Sequence, residues 1–173
     1  QGNPLTVAVN LSPRLFHDDK LVERLQNLMR EAGLPPHRAE LEITESIFIA
    51  DSGRTLGILK RLKRIGVRLV MDDFGTGYSS LSYIRRFPLD VIKIDKSLIT
   101  GIEHDEEGAM ITRAIITMCQ SLRKTVVAEG VETQAQFDFL RWQGCDEFQG
   151  YLVAKPMPAL QFADLLLDGN GQL

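Results

Sequence analysis

Apolar residues recur along this chain in two periods that take turns. Residues 6–10, Thr-Val-Ala-Val-Asn, form a short apolar strand pattern. Leu21, Val22, Leu25, Leu28 and Met29 then fall at helical spacing, and Gly33 ends that helix. Residues 39–46, Ala-Glu-Leu-Glu-Ile-Thr-Glu-Ser, alternate as a strand, and Leu56, Leu59, Leu62 and Ile65 mark a helix stopped at Gly66. A strand follows at 67–71, then a short helix around 79–86, and another strand at 89–95. Met110, Ile111, Ala114, Ile115, Met118, Cys119 and Leu122 predict a helix with a wide apolar face. Residues 125–129 read as a strand, and Thr133 with Gln136 as a capping box opening a helix that carries Phe137 and Leu140 and stops near Gly144. A strand at 147–152 and a last helix carrying Phe162, Leu165 and Leu166 complete six βα units without repeat or low-complexity linker. Such alternation implies a parallel sheet covered by helices. An open doubly wound sheet and a closed (β/α) barrel both satisfy it, and in both, functional residues gather at the carboxyl ends of the strands.

The polar residues respect that end. Asn10 closes the first strand, Glu42 and Glu45 lie late in the second, and Asp72 and Asp73 end the third. Lys93 and Asp95 fall late in the fourth, Glu129 ends the fifth with Glu132 just beyond, and Gln149 lies in the sixth. The adjacent aspartates follow Leu69, Val70 and Met71 directly. Two such carboxylates repel and raise each other's pKa unless a positive charge sits between them. An Asp-rich turn explains the pair taken alone. It does not explain polar groups at six successive strand exits, because buried charges are costly unless paired or bound to metal.

The donor set is all oxygen, which suits Mg²⁺, Mn²⁺ or Ca²⁺ better than zinc or copper. His17, His37 and His104 lie in polar loop or helix-start contexts and read as surface residues. Several carboxylates with one lysine suggest a two-metal centre acting on a phosphate ester, its ions about 4 Å apart. Lys93 would orient a water or stabilise charge there, or else serve only as a structural partner for nearby acids. Gly75 and Gly77 in the loop 74–80, Phe-Gly-Thr-Gly-Tyr-Ser-Ser, lower the cost of unusual backbone angles beside the aspartates.

Composition narrows the class. The 173 residues, 44% apolar and 25% charged, suffice for one soluble domain with a real core. A net charge of −3 argues against a binder of DNA or RNA polymers that relies on basicity. Cys119 and Cys145 sit in apolar context and read as reduced packing residues, consistent with a cytoplasmic domain. No apolar run is long enough to span a membrane as a helix and no signal peptide is evident, while a membrane anchor on a longer parent stays open. The chain lacks an initial Met and enters a strand within a few residues, so it reads as a piece of something larger.

Six ordered segments carry a resemblance: Val-Asn-Leu-Ser (9–12), Leu-Glu-Ile-Thr-Glu-Ser (41–46), Met-Asp-Asp-Phe-Gly-Thr-Gly-Tyr-Ser-Ser-Leu (71–81), Ile-Lys-Ile-Asp-Lys-Ser-Leu-Ile (92–99), Val-Val-Ala-Glu-Gly-Val-Glu-Thr (126–133) and Phe-Gln-Gly-Tyr-Leu-Val-Ala-Lys-Pro-Met-Pro (148–158). Together they resemble the EAL domain family of cyclic di-GMP phosphodiesterases over essentially the whole chain. The resemblance implies a TIM-like (β/α) barrel and hydrolysis of the bacterial second messenger cyclic di-GMP to linear pGpG with Mg²⁺ or Mn²⁺. It implies Asn10, Glu42 and Asp72 as ligands of one metal, Asp72 as the bridge, and Asp73 and Glu129 as ligands of the other. Lys93 resembles the residue that holds the catalytic water, Glu45 the glutamate that steadies the loop after Asp73, and Gln149 a supporting residue. Glu132 resembles a residue that backs the ligands, and Asp95 accompanies Lys93.

The Glu-Ala-Leu motif that names the family is absent from the sequence. The family pattern places it upstream of residues 9–12, so residues 1–173 correspond to a single EAL domain fragment, about its C-terminal two-thirds, with the first strands missing. That implies poor or no turnover by this chain alone, an upstream sensor or cyclase-type domain in the parent, and self-association, with a homodimer the simplest form, through an exposed barrel edge. A non-catalytic cyclic di-GMP-binding or regulatory domain is the alternative. Asp-Phe-Gly at 73–75 with Val-Ile-Lys-Ile at 91–94 is a faint likeness to protein kinases, set aside because the order is reversed and no Gly-rich loop exists.

Overall fold

The computed structural model describes residues 5–47, 52–77 and 81–167. Six strands form one sheet: β1 (Val7–Asn10), β2 (Ala39–Thr44), β3 (Arg68–Phe74), β4 (Val91–Ile94), β5 (Thr125–Glu129) and β6 (Glu147–Gln149). They lie in chain order, every neighbouring pair parallel, with β1 and β6 as the two edges. Among the described residues the α-helices are α1 (Leu21–Glu31), α2 (Ser52–Ile65), α3 (Leu81–Arg86), α4 (Lys96–Ile99), α5 (Glu106–Ser121), α6 (Gln134–Trp142) and α7 (Ala159–Leu167).

The two faces of the sheet differ as strand alternation requires. Leu41, Ile43, Leu69, Met71, Ile92, Ile94, Val126 and Ala128 join Leu59, Leu62, Ile84, Ile116 and Leu140 of the helices in one large core. Val70, Val91 and Val127 form a separate small cluster on the other face. The sheet curls toward that second face. One ammonium, that of Lys93 on β4, touches carboxylates from both β2 and β5. In a flat sheet those two strands would stand about 14 Å apart. The result is a half-barrel of the TIM-like type, incomplete between β6 and β1, so the closed alternative is the correct architecture and the open doubly wound one is not.

At the amino ends of the strands, charges have private structural partners. Asp90 accepts the Leu69 N–H at 2.8 Å and pairs with Lys63 at 2.7 Å. Asp146 accepts the Val126 N–H at 2.8 Å. Each aspartate precedes one strand and caps its neighbour, fixing register at that end.

Four details depart from the sequence pattern. β3 runs on through both aspartates to Phe74. β6 stops at Gln149, because the chain hooks onto Val131, whose N–H donates to the Gln149 carbonyl and whose carbonyl accepts from Leu152 N–H. A Cβ on Gly150 would overlap the Val131 backbone, so only glycine fits that hook. The single turn α4 was unforeseen; Asp95 caps it, accepting the Ser97 N–H at 2.9 Å. On α5 the buried line is Thr112, Ile116 and Cys119, whereas Met110 and Ile111 face outward. Of the short helix anticipated at 79–86, residues 79 and 80 lie outside the described residues.

Candidate active site

A regular strand sends neighbouring side chains to opposite faces, so Asp72 and Asp73 cannot both serve one site without a local fault. The fault is present. Val70 pairs with Val91 and Met71 with Ile92, but the next pair is Phe74 with Ile94, so Asp72 and Asp73 together oppose Lys93 alone. This is a β-bulge, and Asp73 takes the left-handed conformation (φ 56°) that such an extra residue needs. Asp and Asn tolerate that region better than most residues. The bulge brings ligand oxygens of Asp72, Asp73 and Glu129 within 4.8 Å of one another.

Lys93 sits at the centre. Its Nζ lies 2.8 Å from Glu42 Oε1, 2.5 Å from Glu129 Oε1 and 3.4 Å from Asp72 Oδ1. The four side chains are nearly closed to solvent: 8% exposed for Lys93, 12% for Glu42, 14% for Asp72 and 18% for Glu129. Burial alone would lower the lysine pKa, but hydrogen bonds to Glu129 and Glu42 reverse this and hold it above the ordinary amine range. Burial pushes the Glu129 carboxyl up, against the pull of Lys93. Asp73 is also raised, first by burial and then by the charges of Asp72 and Asp95. One cation therefore serves three carboxylates, with Asp73 close by, the reverse of the one-to-one pairing at the amino ends.

The remaining candidates surround this centre. Asn10 is the register partner of Glu42, and Gln149 that of Glu129, both exposed at their strand ends. Glu45 is buried one residue beyond β2, and its Oε2 lies 3.1 Å from where a Cβ on Gly77 would stand. Its carboxylate thus packs under the loop that leaves Asp73, and Thr76 ties back to the Asp73 carbonyl through its N–H and hydroxyl. Asp95 serves as the helix cap described above. Burial raises its pKa, but the bonds from Ser97 outweigh this and hold it low. Glu132 is exposed and stands apart from the acidic cluster; its N–H donates to Gln136 Oε1 at 2.8 Å inside the Thr133–Gln136 capping box.

Sequence reading passed over two features. Thr44, two residues beyond Glu42 on the same strand face, pairs in register with Asp72; the alternation of β2 already pointed to it. A cavity of about 320 Å³ beside Gln149 is lined by Tyr151, Lys155 and Phe162, with the Lys155 ammonium 5.6 Å from the Tyr151 ring centre. It depends on the hook after β6 and has no local signature.

A divalent cation fits the cluster on its own chemistry. The donors are carboxylate oxygens, and Asp72 Oδ1 is buried without a hydrogen bond, holding only the 3.4 Å ion-pair contact with Lys93. Oxygen sets of this kind suit hard ions.

Comparison with known proteins agrees with the fold. The bifunctional diguanylate cyclase/cyclic di-GMP phosphodiesterase MucR of Pseudomonas aeruginosa is 44% identical over 155 residues, which is 90% of this chain and 23% of that protein. The chain spans about a fifth of the length of the curated relatives it matches, 19% to 24%. The structure of a MucR phosphodiesterase complexed with c-di-GMP superposes with a TM-score of 0.86 at 43% identity, covering 91% of this chain and 64% of that one. A Klebsiella pneumoniae BlrP1 structure, a manganese/cyclic-diGMP complex, superposes at 0.80 with 38% identity, covering 85% of this chain and 38% of that one. The EAL domain family model matches residues 1–156, and the chain belongs to that family.

Proposed function

We propose that residues 1–173 are a single EAL domain fragment that supplies most of the hydrolytic site of a cytoplasmic cyclic di-GMP phosphodiesterase, which cleaves one phosphodiester bond to give pGpG. The observation that carries this reading is the convergence of Glu42, Asp72 and Glu129 from β2, β3 and β5 on one buried lysine at the carboxyl end of the strands, with Asp73 grouped beside Asp72 and Glu129. Named relatives include cyclic di-GMP phosphodiesterases. Asn10, Glu42 and Asp72 would hold one Mg²⁺ or Mn²⁺, and Asp72, Asp73 and Glu129 the other. Bound there, the ions supply positive charge to the phosphate and a reactive water at neutral pH.

The chain's own groups then divide the work. Lys93 is fully protonated, so it donates a hydrogen bond to the attacking water or a phosphate oxygen and cannot accept a proton. The proton that the water gives up needs an acceptor other than Lys93, and the carboxylates gathered around Lys93 are the chain's own groups within reach. Glu45 keeps the loop after Asp73 in place. Gln149 and the cavity holding Tyr151, Lys155 and Phe162 offer an aromatic face and a cation for the nucleotide portion of the substrate. The Glu-Ala-Leu segment and an upstream sensor or cyclase-type domain belong to the parent protein. The parent, given cyclic di-GMP and Mg²⁺ or Mn²⁺, should release pGpG on chromatography, and Asp72→Asn should abolish release. A parent that binds cyclic di-GMP without cleaving it would be a regulatory binding domain instead.

A further inference from the structure

We propose that Lys93 is a built-in counter-cation that sets the metal affinity of the acidic site, a role that rests on the two-metal reading above. Its ammonium contacts three carboxylates assigned to the ions, Glu42 at 2.8 Å, Glu129 at 2.5 Å and Asp72 at 3.4 Å. The contacts lie out of solvent, where charge is poorly screened. Asp73, by contrast, has no ion pair among the described residues. An arriving divalent ion therefore finds Asp73 available, but must draw Glu129, Glu42 and Asp72 away from Lys93 or share them with it. Two cations that share carboxylates repel each other. Without metal, the same lysine keeps three mutually repelling carboxylates gathered. The site is thus assembled in advance and binds its ions more weakly than its donors alone would allow.

Mn²⁺ binding to this chain, read as loss of the free-ion electron spin resonance signal, tests the role without any turnover. Lys93→Met is expected to lower the Mn²⁺ dissociation constant at least tenfold, about 1.4 kcal/mol. Lys93→Arg, which keeps the charge, is expected to stay at the wild-type value, and Asp73→Asn to weaken binding. Unchanged or weaker binding by Lys93→Met, with Asp73→Asn still weakening it, overturns the proposal and leaves the metal site standing. No Mn²⁺ binding by either wild type or Lys93→Met, or binding indifferent to Asp73→Asn, overturns both. If Lys93→Met does not fold, Mg²⁺ titration of wild type decides. The Lys93 ¹³Cε resonance is expected to shift in step with binding, and a resonance unmoved at saturation overturns the proposal.

Discussion

Replacing Lys93 by Met in the metal-free chain isolates what the lysine does for the fold. The swap keeps most of the side-chain volume, so packing changes little; the loss is electrostatic. Glu42, Asp72 and Glu129 lose their shared cation while 82% or more of each side chain stays buried, the complement of their 12%, 14% and 18% exposures. Breaking a buried pair by removing one partner costs about 3–5 kcal/mol. The exposure that each carboxylate retains favours the lower end, about 3 kcal/mol. For a chain of this size that is a fall in Tm of about 6–12 °C. The assay is urea unfolding with EDTA at neutral pH, comparing midpoints at equal slope. The pH dependence carries a sign. Lys93 has a folded pKa raised above its usual value, so its stabilisation is fully present below that usual value and is lost only as pH rises through the folded one. Glu129 has a raised folded pKa, so its charge costs the folded state stability above that pKa, and the cost disappears as pH falls through it. Without Lys93 that cost grows, so the gap between variant and wild type should narrow in acid. A loss below about 1 kcal/mol, or a gap that widens in acid, refutes the reasoning.

Three other outcomes follow from the geometry. Asp73→Asn removes a charge that burial and Asp72 disfavour, so metal-free Tm should rise by about 2–4 °C while the Mn²⁺-induced rise in Tm disappears; calorimetry with and without Mn²⁺ reads both. Gly150→Ala forces a Cβ into the Val131 backbone, so stability should fall by about 2 kcal/mol or more in urea titration, whereas Gly77→Ala meets only the end of the Glu45 side chain and should cost less. Val7 and Val9 are each 46% exposed on the edge strand β1, so this chain should self-associate in light scattering, and the double change to Lys should return it to a monomer.

The fold was legible where one rule acted along the chain. Alternating periods gave the six strands, and Thr133 with Gln136 gave a capping box that the structure forms in full. Legibility failed where a partner distant in sequence decides. On α5 seven of the ten positions from Met110 to Cys119 are apolar, too many for periodicity to choose a face; Thr112 is buried because its hydroxyl finds the Leu98 carbonyl at 3.2 Å. β6 reads as six residues and ends after three because Val131 claims its backbone.

The candidate site divides along the same line. Its members could be chosen from their place at strand ends, yet nothing local to Asp72-Asp73 says that both reach one centre. An ordinary strand would send one inward and bury the other among Leu69, Met71 and the helices, where an unpaired carboxylate is ruinous. The extra residue opposite Lys93 removes that conflict, and only the pairing of β3 with β4 reveals it. The left-handed turn at Asp73 is then the backbone cost, about 1 kcal/mol or more, of putting two adjacent carboxylates on one side of a sheet. A strand that needed only a turn at this point would not bear it, because Gly75, two residues on, adopts positive φ freely. The strain therefore belongs to the gathering of charge around Lys93 and not to the reversal of the chain.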